Sequence, residues 1–439
     1  MIKKGDMLML QIEDTNLMGR GVAKCEGLVI FCDGAVKGDT VISFITDVKK
    51  TWAEAKALKV SVPSPERRES LCPNFEKCGG CGLGHVTYDH ETEVKKAGIE
   101  ASFRRCGDFH GQVSEMITTS PEGYRNKSVF HFDSEKSAGF FSHGTRDYHA
   151  VDACEICHPE IIRIKGECEK LLKSDESIRP EELTYLYIRH METTGESSVV
   201  LGYTGKSSLN NFAESLAKNL PSVKCVMRGT ANSPEARNEK FALLFGKDRI
   251  RDIFCGMELE VSPASFYQVN HDAAEKMCGL ISDLAELKPD DVCLDLYCGI
   301  GTIGLTVAKA YSDAKIYGIE INPQAASDAE KNAKANGISN AKFFSGDSRD
   351  FADKTGVQKA DCIIVDPPRA GLSDKTIEEV LKFSPEKIIY VSCNPSTLSR
   401  DLKKFLSDYE MTKAIGVNMF PRTLHVESVI LLTKTGHGV

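Results

Sequence analysis

The chain lacks the apolar runs that a membrane protein or a secreted precursor would carry. A membrane-spanning helix needs about 18 to 20 consecutive apolar residues, and no such run occurs among the 439 residues. The first residues are polar and contain no apolar signal region. We therefore expect a globular protein of the cytoplasm without membrane partners.

An excess of basic residues is also missing. The chain has 55 Lys and Arg against 63 Asp and Glu, for a net charge of -8. Overall charge gives no sign of a nucleic-acid-binding protein, although a local basic patch suffices for phosphate contact. Internal repeats and low-complexity tracts are absent too, and 41% of the residues are hydrophobic, which fits globular domains.

Cysteine, by contrast, is abundant, with 16 residues. A disulfide scaffold is a poor interpretation for a long chain without a secretion signal, and most of these residues are expected to be small buried hydrophobes. Cys72, Cys78 and Cys81 differ because Gly79 and Gly80 separate the last two and the whole set is compact. This spacing is typical of metal ligands and leaves a zinc site and an iron–sulfur cluster open.

Three regions with different patterns predict a multidomain α/β protein. Residues 1–59 contain short apolar runs between glycine turns, which predict a small OB-like β-barrel. Residues 60–255 mix strand-like and helix-like segments, as in an α+β domain that contains the cysteine cluster. Residues 256–439 alternate helices with buried strands, which predicts a Rossmann-like, doubly wound domain.

The first turn of this C-terminal region has the pattern of a nucleotide site. Two glycines follow its first strand and let the backbone approach a ligand, and acidic residues follow the second and third strands, where ribose and adenine would lie. The glycines at positions 299, 301 and 304 also match a dinucleotide fingerprint, so NAD stays open beside S-adenosylmethionine (SAM), as do simple turn glycines. The candidate cofactor residues from this pattern are Gly299, Gly301, Glu320 and Asp347.

Two further residues are predicted to face the same crevice. Asp366 ends the fourth strand and Cys393 follows the fifth, and the carboxyl ends of parallel strands meet at one edge of a sheet. Glu427 precedes a later apolar strand. The simpler alternatives are an inert buried thiol and a carboxylate in a surface ion pair.

Four motifs together resemble the RNA uracil-5-methyltransferase family. They occur in the family's order at residues 265–270, which contain Gln268, and at residues 366–371, 392–401 and 425–427. Amino-group methyltransferases have an aromatic residue after Pro-Pro, where this chain has Arg369. RNA cytosine-5 methyltransferases usually have Pro-Cys on the fourth strand, where this chain has Asp-Pro-Pro.

The resemblance implies an RNA (uracil-5-)-methyltransferase that uses SAM. It implies that Cys393 is the nucleophile that adds to C6 of uracil and that Glu427 removes the proton from C5 after methylation. A free thiol is only about 3% ionised at pH 7, so the site must offset roughly 2 kcal/mol or protonate the uracil as the thiol adds. The residues that the resemblance assigns to SAM or the uracil edge are Gln268, Tyr297, Gly299, Thr302, Glu320, Asp347 and Asp366.

The resemblance also implies a [4Fe-4S] cluster and an RNA partner. Its implied ligands are Cys72, Cys78, Cys81 and Cys154, with Cys157 as the alternative to Cys154. The N-terminal region resembles a TRAM domain, an RNA-binding module. The family members that are closest and act on rRNA have both the TRAM domain and the cluster. The resemblance therefore favours a uridine of 23S rRNA as the target, and the tRNA T-loop is the alternative. A noncatalytic RNA-binding iron–sulfur protein with a retained SAM fold is a third interpretation, and we expect a monomer.

Overall fold

The computed structural model describes residues 1–104, 111–142, 145, 147–235 and 239–435. Three larger β-sheets organise this part of the chain, together with one two-stranded hairpin. Within the described residues, no helix combines the length and the apolar character needed to cross a membrane.

Six strands form the N-terminal sheet. They are β1 (Met7–Gln11), β2 (Asp14–Thr15), β3 (Gly21–Cys25), β4 (Leu28–Asp33), β5 (Thr40–Val48) and β6 (Trp52–Val62). Their order is β1-β5-β6-β4-β3-β2, and all neighbours are antiparallel except β4 and β6. Alternate residues such as Val41 and Ile45 point into an apolar core that is separate from the rest of the protein.

A long helix, α1 (Tyr88–Arg104), and a short strand, β7 (Glu115–Ile117), follow this sheet. Both pack on the C-terminal part of the chain, although they lie in its first third. Ile99 and Phe103 of α1 belong to a C-terminal apolar core that also contains Leu398 and Leu402.

The central sheet is covered on both faces. Its strands are β8 (Lys127–Phe132), β9 (Ala138–Phe141), β10 (Tyr148–Ala150), β11 (Leu183–Met191), β12 (Glu196–Tyr203), β13 (Val223–Gly229) and β14 (Phe241–Gly246), in the order β10-β9-β8-β11-β12-β13-β14. Helices α2 (Pro159–Ser174) and α3 (Asn210–Asn219) share a core with one face through residues such as Leu186. Tyr187 and Val200, on the opposite face, belong to the main C-terminal core.

The hairpin of β15 (Ile250–Phe254) and β16 (Met257–Val261) leads into the C-terminal domain. Its helices are α4 (His271–Ala285), α5 (Thr302–Ala310), α6 (Pro323–Ala335), α7 (Phe351–Thr355), α8 (Asp374–Phe383) and α9 (Pro395–Phe405). Its strands are β17 (Val292–Leu296), β18 (Lys315–Glu320), β19 (Ala341–Ser345), β20 (Cys362–Val365), β21 (Lys387–Ser392), β22 (Tyr409–Val417) and β23 (Glu427–Lys434).

These strands form one sheet in the order β19-β18-β17-β20-β21-β23-β22-β7. The first five are parallel to one another, β23 is antiparallel to both of its neighbours, and β7 pairs in parallel with β22. The predicted alternation of helices and buried strands is confirmed. The strand order reverses between β17 and β20, and ligands of such folds bind at the carboxyl ends of the strands at that point.

Candidate active site and cysteine cavity

The sheet register brings Cys393 and Glu427 to the same edge. Ser392 at the end of β21 pairs with Ser428 in the antiparallel strand β23, so the next residues in this register are Cys393 and Glu427. Asp366 directly follows β20, which is the other neighbour of β21. The structure therefore places Asp366 and Cys393, which strand-end reasoning selected, beside Glu427, which the family resemblance supplied.

Local contacts hold the turn after Cys393. The Asn394 side chain accepts a hydrogen bond from the Ser396 amide at 3.0 Å and so caps α9. Its amide group also donates to the Arg369 carbonyl at 3.2 Å. The turn that carries the thiol is thereby attached to the loop that follows Asp366.

Burial disfavours the charged forms of Cys393, Glu427 and Asp366. It raises the pKa of the Cys393 thiol to about 11, with a further rise from the charge of Glu427 and an opposing effect of Arg369. Burial and the charge of Asp366 raise the pKa of Glu427 well above its ordinary value. Burial alone raises the pKa of Asp366 to about 6. A carboxylate with a raised pKa is a stronger proton acceptor, which suits a general base.

Two residues near the thiol were assigned no function in the site from the sequence. Arg369 and His425 contact each other, with 3.2 Å between Arg369 Nη2 and His425 Nε2. Both line a cavity of about 860 Å³ together with Cys393. Arg369 ends the Asp-Pro-Pro-Arg motif, and His425 begins the His-Val-Glu motif. The motifs could therefore have pointed to each residue, but not to the contact between the two side chains.

The same cavity extends to the N-terminal sheet and to the cysteine motif. Asn16, Met18 and Phe31 line it on the side of the sheet, and Gly79 and Gly80 line it on the side of the motif. One continuous space therefore connects the predicted nucleophile with two regions that are distant from it in sequence.

The glycine turn after β17 has the backbone that a close ligand approach requires. Gly299 and Gly301 adopt positive φ angles of 57° and 87°, which residues with side chains rarely adopt. The Gly299 amide donates to a Glu320 carboxylate oxygen at 3.1 Å, so the predicted ribose-binding residue is held against the turn. Thr302 is the first residue of α5.

A pocket of about 200 Å³ lies beside this turn. Tyr297, Ile321 and Asp347 are among its lining residues. A hydrogen bond from Arg349 lowers the pKa of Asp347, which stays ionised. The predicted residues Gln268, Gly299, Thr302 and Glu320 are not among the described residues that line this pocket. Two predicted cofactor residues therefore share one pocket, and the glycine turn and Glu320 lie next to it.

Gln268 lies just before α4. Its carbonyl accepts a hydrogen bond from Asn126 Nδ2 at 3.0 Å, and the Asn126 amide donates to the Val269 carbonyl at 2.8 Å. Asn270 caps α4 by accepting from the Ala273 amide at 3.1 Å. The central region thus fixes the segment that carries Gln268.

The cysteine motif lines a second cavity, of about 440 Å³. Its lining includes all five candidate ligands, namely Cys72, Cys78, Cys81, Cys154 and Cys157. Burial raises the pKa of Cys78 and of Cys81, and the neighbouring cysteines add to both shifts. Among the described residues, no group of three Cys, His, Asp or Glu side chains is arranged to hold a metal ion. The cysteines are therefore gathered at one cavity, but without the geometry of a single-ion site.

Cys157 is the more buried of the two candidates for the fourth position, and its sulfur lies 3.0 Å from Ser128 Oγ. A hydrogen bond between Cys154 and Cys157 raises the pKa of Cys154 and lowers that of Cys157.

A doubly wound sheet with a crevice at its strand ends is a fold that SAM-dependent methyltransferases share with other nucleotide-binding enzymes. The family model described as tRNA (uracil-5-)-methyltransferase matches residues 87–435. The chain is also 34% identical to an uncharacterized RNA methyltransferase of Caldanaerobacter subterraneus subsp. tengcongensis, over 99% of both chains. It is 32% identical to one from Halalkalibacterium halodurans, over 98% of both chains. The chain therefore belongs to the tRNA (uracil-5-)-methyltransferase family.

A solved structure covers nearly the whole chain. The crystal structure of Pyrococcus abyssi tRNA (uracil-54, C5)-methyltransferase in complex with S-adenosyl-L-homocysteine is 25% identical and superimposes with a TM-score of 0.76, covering 97% of this chain and 100% of that one. Together these matches show a SAM-dependent RNA (uracil-5-)-methyltransferase. The NAD alternative and the noncatalytic alternative are not supported.

Proposed function

We propose that this enzyme forms 5-methyluridine in 23S rRNA through a covalent adduct between Cys393 and C6 of the target uracil. The proposal rests on one observation, which is that Cys393, Glu427 and Asp366 lie together at one strand-end crevice. In this position a thiol and a buried carboxylate can act on opposite ends of the C5–C6 bond.

The roles of the two central residues follow from electron balance. The Cys393 thiolate forms a bond to C6, and the electron pair of the C5–C6 double bond moves toward C5 and the C4 carbonyl. C5 then takes the methyl group from SAM, and S-adenosylhomocysteine is left. Glu427 accepts the proton from C5, the C5–H electron pair restores the double bond, and the C6–S bond breaks to return the thiolate.

The cofactor residues keep their proposed assignment. The pocket beside the glycine turn supports adenine binding between Tyr297 and Asp347, and the position of Glu320 against Gly299 supports a ribose contact. Gln268, Thr302 and Asp366 are proposed to complete the site around SAM and the uracil edge.

The choice of 23S rRNA rests on the resemblance of the N-terminal region to TRAM modules and on the cysteine motif. We propose that residues 1–59 and 60–255 dock the RNA and that residues 256–439 carry out the transfer. The cavity that joins Phe31 to Cys393 supports a path for RNA along the N-terminal sheet. The target base must leave its stack to reach the thiol.

A tRNA uridine is the second candidate. The structural match to a tRNA (uracil-54, C5)-methyltransferase over 97% of the chain favours it.

Radiolabelled SAM distinguishes the two targets. Unmodified 23S rRNA fragments and tRNA are offered separately, and the labelled nucleoside is identified. We expect 5-methyluridine in rRNA only. Label in tRNA only would assign the enzyme to the second candidate, and label in a nucleoside other than 5-methyluridine would overturn the uracil C5 chemistry.

We also propose that Cys72, Cys78, Cys81 and Cys154 hold a [4Fe-4S] cluster. Four thiols around one cavity are the donor set of such clusters. A single zinc ion would draw its sulfurs to about 2.3 Å from one point, whereas a group of several irons separates them more widely. Iron and sulfide content, rather than the arrangement of the thiols, therefore distinguishes the two groups.

Iron and sulfide content of protein purified without oxygen tests this proposal. We expect about four irons per chain, a loss of iron in Cys154→Ser, and retention in Cys157→Ser. Zinc in place of iron would contradict the cluster, and the reverse result for the two variants would move the fourth ligand to Cys157.

A further inference from the structure

The loop at residues 418–426 connects the cysteine cavity to the proposed base. It joins β22 to β23 and ends directly before Glu427. Four successive carbonyls of this loop, at residues 419–422, each accept a hydrogen bond from a different part of the chain. The donors, in the same order, are Asn270 Nδ2 at 3.2 Å, Lys95 Nζ at 3.0 Å, Tyr124 Oη at 2.9 Å and the Leu83 amide at 2.9 Å.

Arg422 is the centre of this loop. Its φ angle is 67°, in the left-handed region that non-glycine residues adopt only when their surroundings hold them there. Its amide donates to both carboxylate oxygens of Glu91, at 3.0 and 3.1 Å. Glu91 is fully buried in α1 and also accepts from Lys95 Nζ at 2.8 Å. Hydrogen bonds from the Arg422 amide to the buried Glu91 carboxylate thus hold this conformation.

The Arg422 side chain reaches the second cysteine segment. Its Nε lies 3.5 Å from Glu155 Oε1, and Glu155 is the residue next to Cys154. The same Glu155 oxygen lies 2.9 Å from Arg68 Nη2, so two guanidinium groups flank it, although neither contact has hydrogen-bond geometry at this oxygen. Only 5% of the Arg422 side chain is exposed, and an ion pair shielded from water in this way is screened little by salt.

The first cysteine segment touches the same loop through Gly82. A Cβ atom on Gly82 would lie 2.4 Å from Leu424 Cδ2, so the two residues are in tight contact. Gly82 directly follows Cys81, and Leu424 lies three residues before Glu427. Both cysteine segments therefore contact the loop that leads into Glu427.

We propose that Arg422 is a positioning residue for Glu427, and that its ion pair with Glu155 transmits the arrangement of the cysteine cavity to the base. This proposal rests on the proposed roles of Glu427 and of the cysteines. It predicts that loosening the Glu155–Arg422 contact slows proton removal from C5, while addition of Cys393 to C6 is unaffected.

RNA that contains 5-fluorouridine separates these two steps. Its C5 carries fluorine in place of the proton that Glu427 removes, so the adduct with Cys393 forms and does not resolve. The variants to compare are Arg422→Lys and Glu155→Gln. Glu196→Gln is the matched control, because Glu196 is a similarly buried carboxylate paired with Arg251 at 2.8 Å, in the central sheet.

We expect Arg422→Lys and Glu155→Gln to lower turnover on natural RNA by about tenfold and to accumulate the covalent RNA complex, as slower general-base catalysis would. Their rate of adduct formation with 5-fluorouridine RNA should stay within about twofold of the parent protein. An equal fall in adduct formation and turnover, or behaviour like Glu196→Gln, would overturn the proposal.

Hydrogen exchange supplies a readout that does not depend on activity. Amides of residues 418–427 should exchange faster in Glu155→Gln and in Cys81→Ser than in Glu196→Gln, and unchanged exchange in both would contradict the coupling. Failure of the proposed function would look different, because the parent protein itself would then form no Cys393-dependent adduct.

Discussion

At the residue scale, the candidate site contains buried groups whose charged forms are energetically unfavourable. Cys393, Asp366 and Glu427 each have a raised pKa, and burial is the main cause for all three. Arg369 is the cation that acts against this on Cys393. We therefore expect ionisation of the Cys393 thiol to depend on a balance between burial and the charge of Glu427 on one side and Arg369 on the other.

The role of Glu427 predicts a trapped intermediate. Glu427→Gln keeps the shape of the side chain but removes the base, so the methylated RNA should remain attached to Cys393. We expect turnover to fall by about 100- to 10,000-fold, with a protein–RNA band that survives denaturing gels. Glu410→Gln, an exposed carboxylate on β22, is the control, and a comparable loss of turnover in both variants would contradict the role.

The raised pKa of Cys393 predicts how alkylation depends on pH. Iodoacetamide reacts with the thiolate, and the pKa is about 11, so the alkylation rate of the Cys393 peptide should rise about tenfold per pH unit between pH 7 and 9. Arg369→Gln removes the charge that lowers this pKa, so the rate at each pH should fall by about threefold. The control Lys403→Gln, on the exposed side of α9, should leave the rate unchanged, and a plateau below pH 8 would show that the thiol is already ionised.

At the element scale, helix caps and strand ends position the chemistry. Asn394 caps α9 directly after Cys393 and holds the Arg369 carbonyl, so one side chain fixes both the helix start and the turn. The strands β20, β21 and β23 then fix the relative positions of Asp366, Cys393 and Glu427.

Removal of this cap should cost both stability and reactivity. Asn394→Ala is expected to lower the free energy of unfolding by about 1 kcal/mol, measured by urea denaturation, and to slow adduct formation with 5-fluorouridine RNA. Asn340→Ala is the control, since Asn340 holds the Ala308, Tyr311 and Ala314 carbonyls at the other end of β18 and β19. It should lower stability without slowing the adduct, and a similar slowing in both would show that the cap acts only through stability.

Elements with a local signal could be predicted from the sequence. The buried strands and glycine turns of residues 292–392 gave the order of helices and strands, because hydrophobic periodicity and turn residues act over short distances. The pairing of β7 with β22, the packing of α1 on α9, and the contact between Arg369 and His425 were not predicted. Each joins segments that are far apart in sequence, and no local pattern encodes such pairs.

At the scale of the whole molecule, the central sheet is not an independent body. Tyr187 and Val200 share a core with Met277 of α4, and Asn126 bonds to the segment that carries Gln268. The N-terminal sheet, in contrast, has a core of its own and meets the rest around the large cavity. The RNA path is therefore expected to be built by several regions together.

Phe31 allows a test of this shared path. It lines the cavity with Cys393, and stacking of a base on an aromatic ring is worth about 1 to 3 kcal/mol. Phe31→Ala should therefore weaken RNA binding at least about fivefold in a filter or fluorescence assay, with SAM affinity unchanged. Phe44→Ala, an exposed aromatic on β5, is the control, and equal RNA affinity for both variants would remove the N-terminal sheet from the path.

Covalent attachment of RNA to Cys393 is the most direct test of the proposed chemistry. Protein incubated with SAM and 5-fluorouridine RNA is digested, and the nucleotide-bearing peptide is identified by mass spectrometry. We predict a methylated fluorouridine on the peptide that contains Cys393, and no adduct in Cys393→Ser. An adduct on another cysteine, or methylation of natural RNA by Cys393→Ser, would contradict the assignment of Cys393 as the nucleophile.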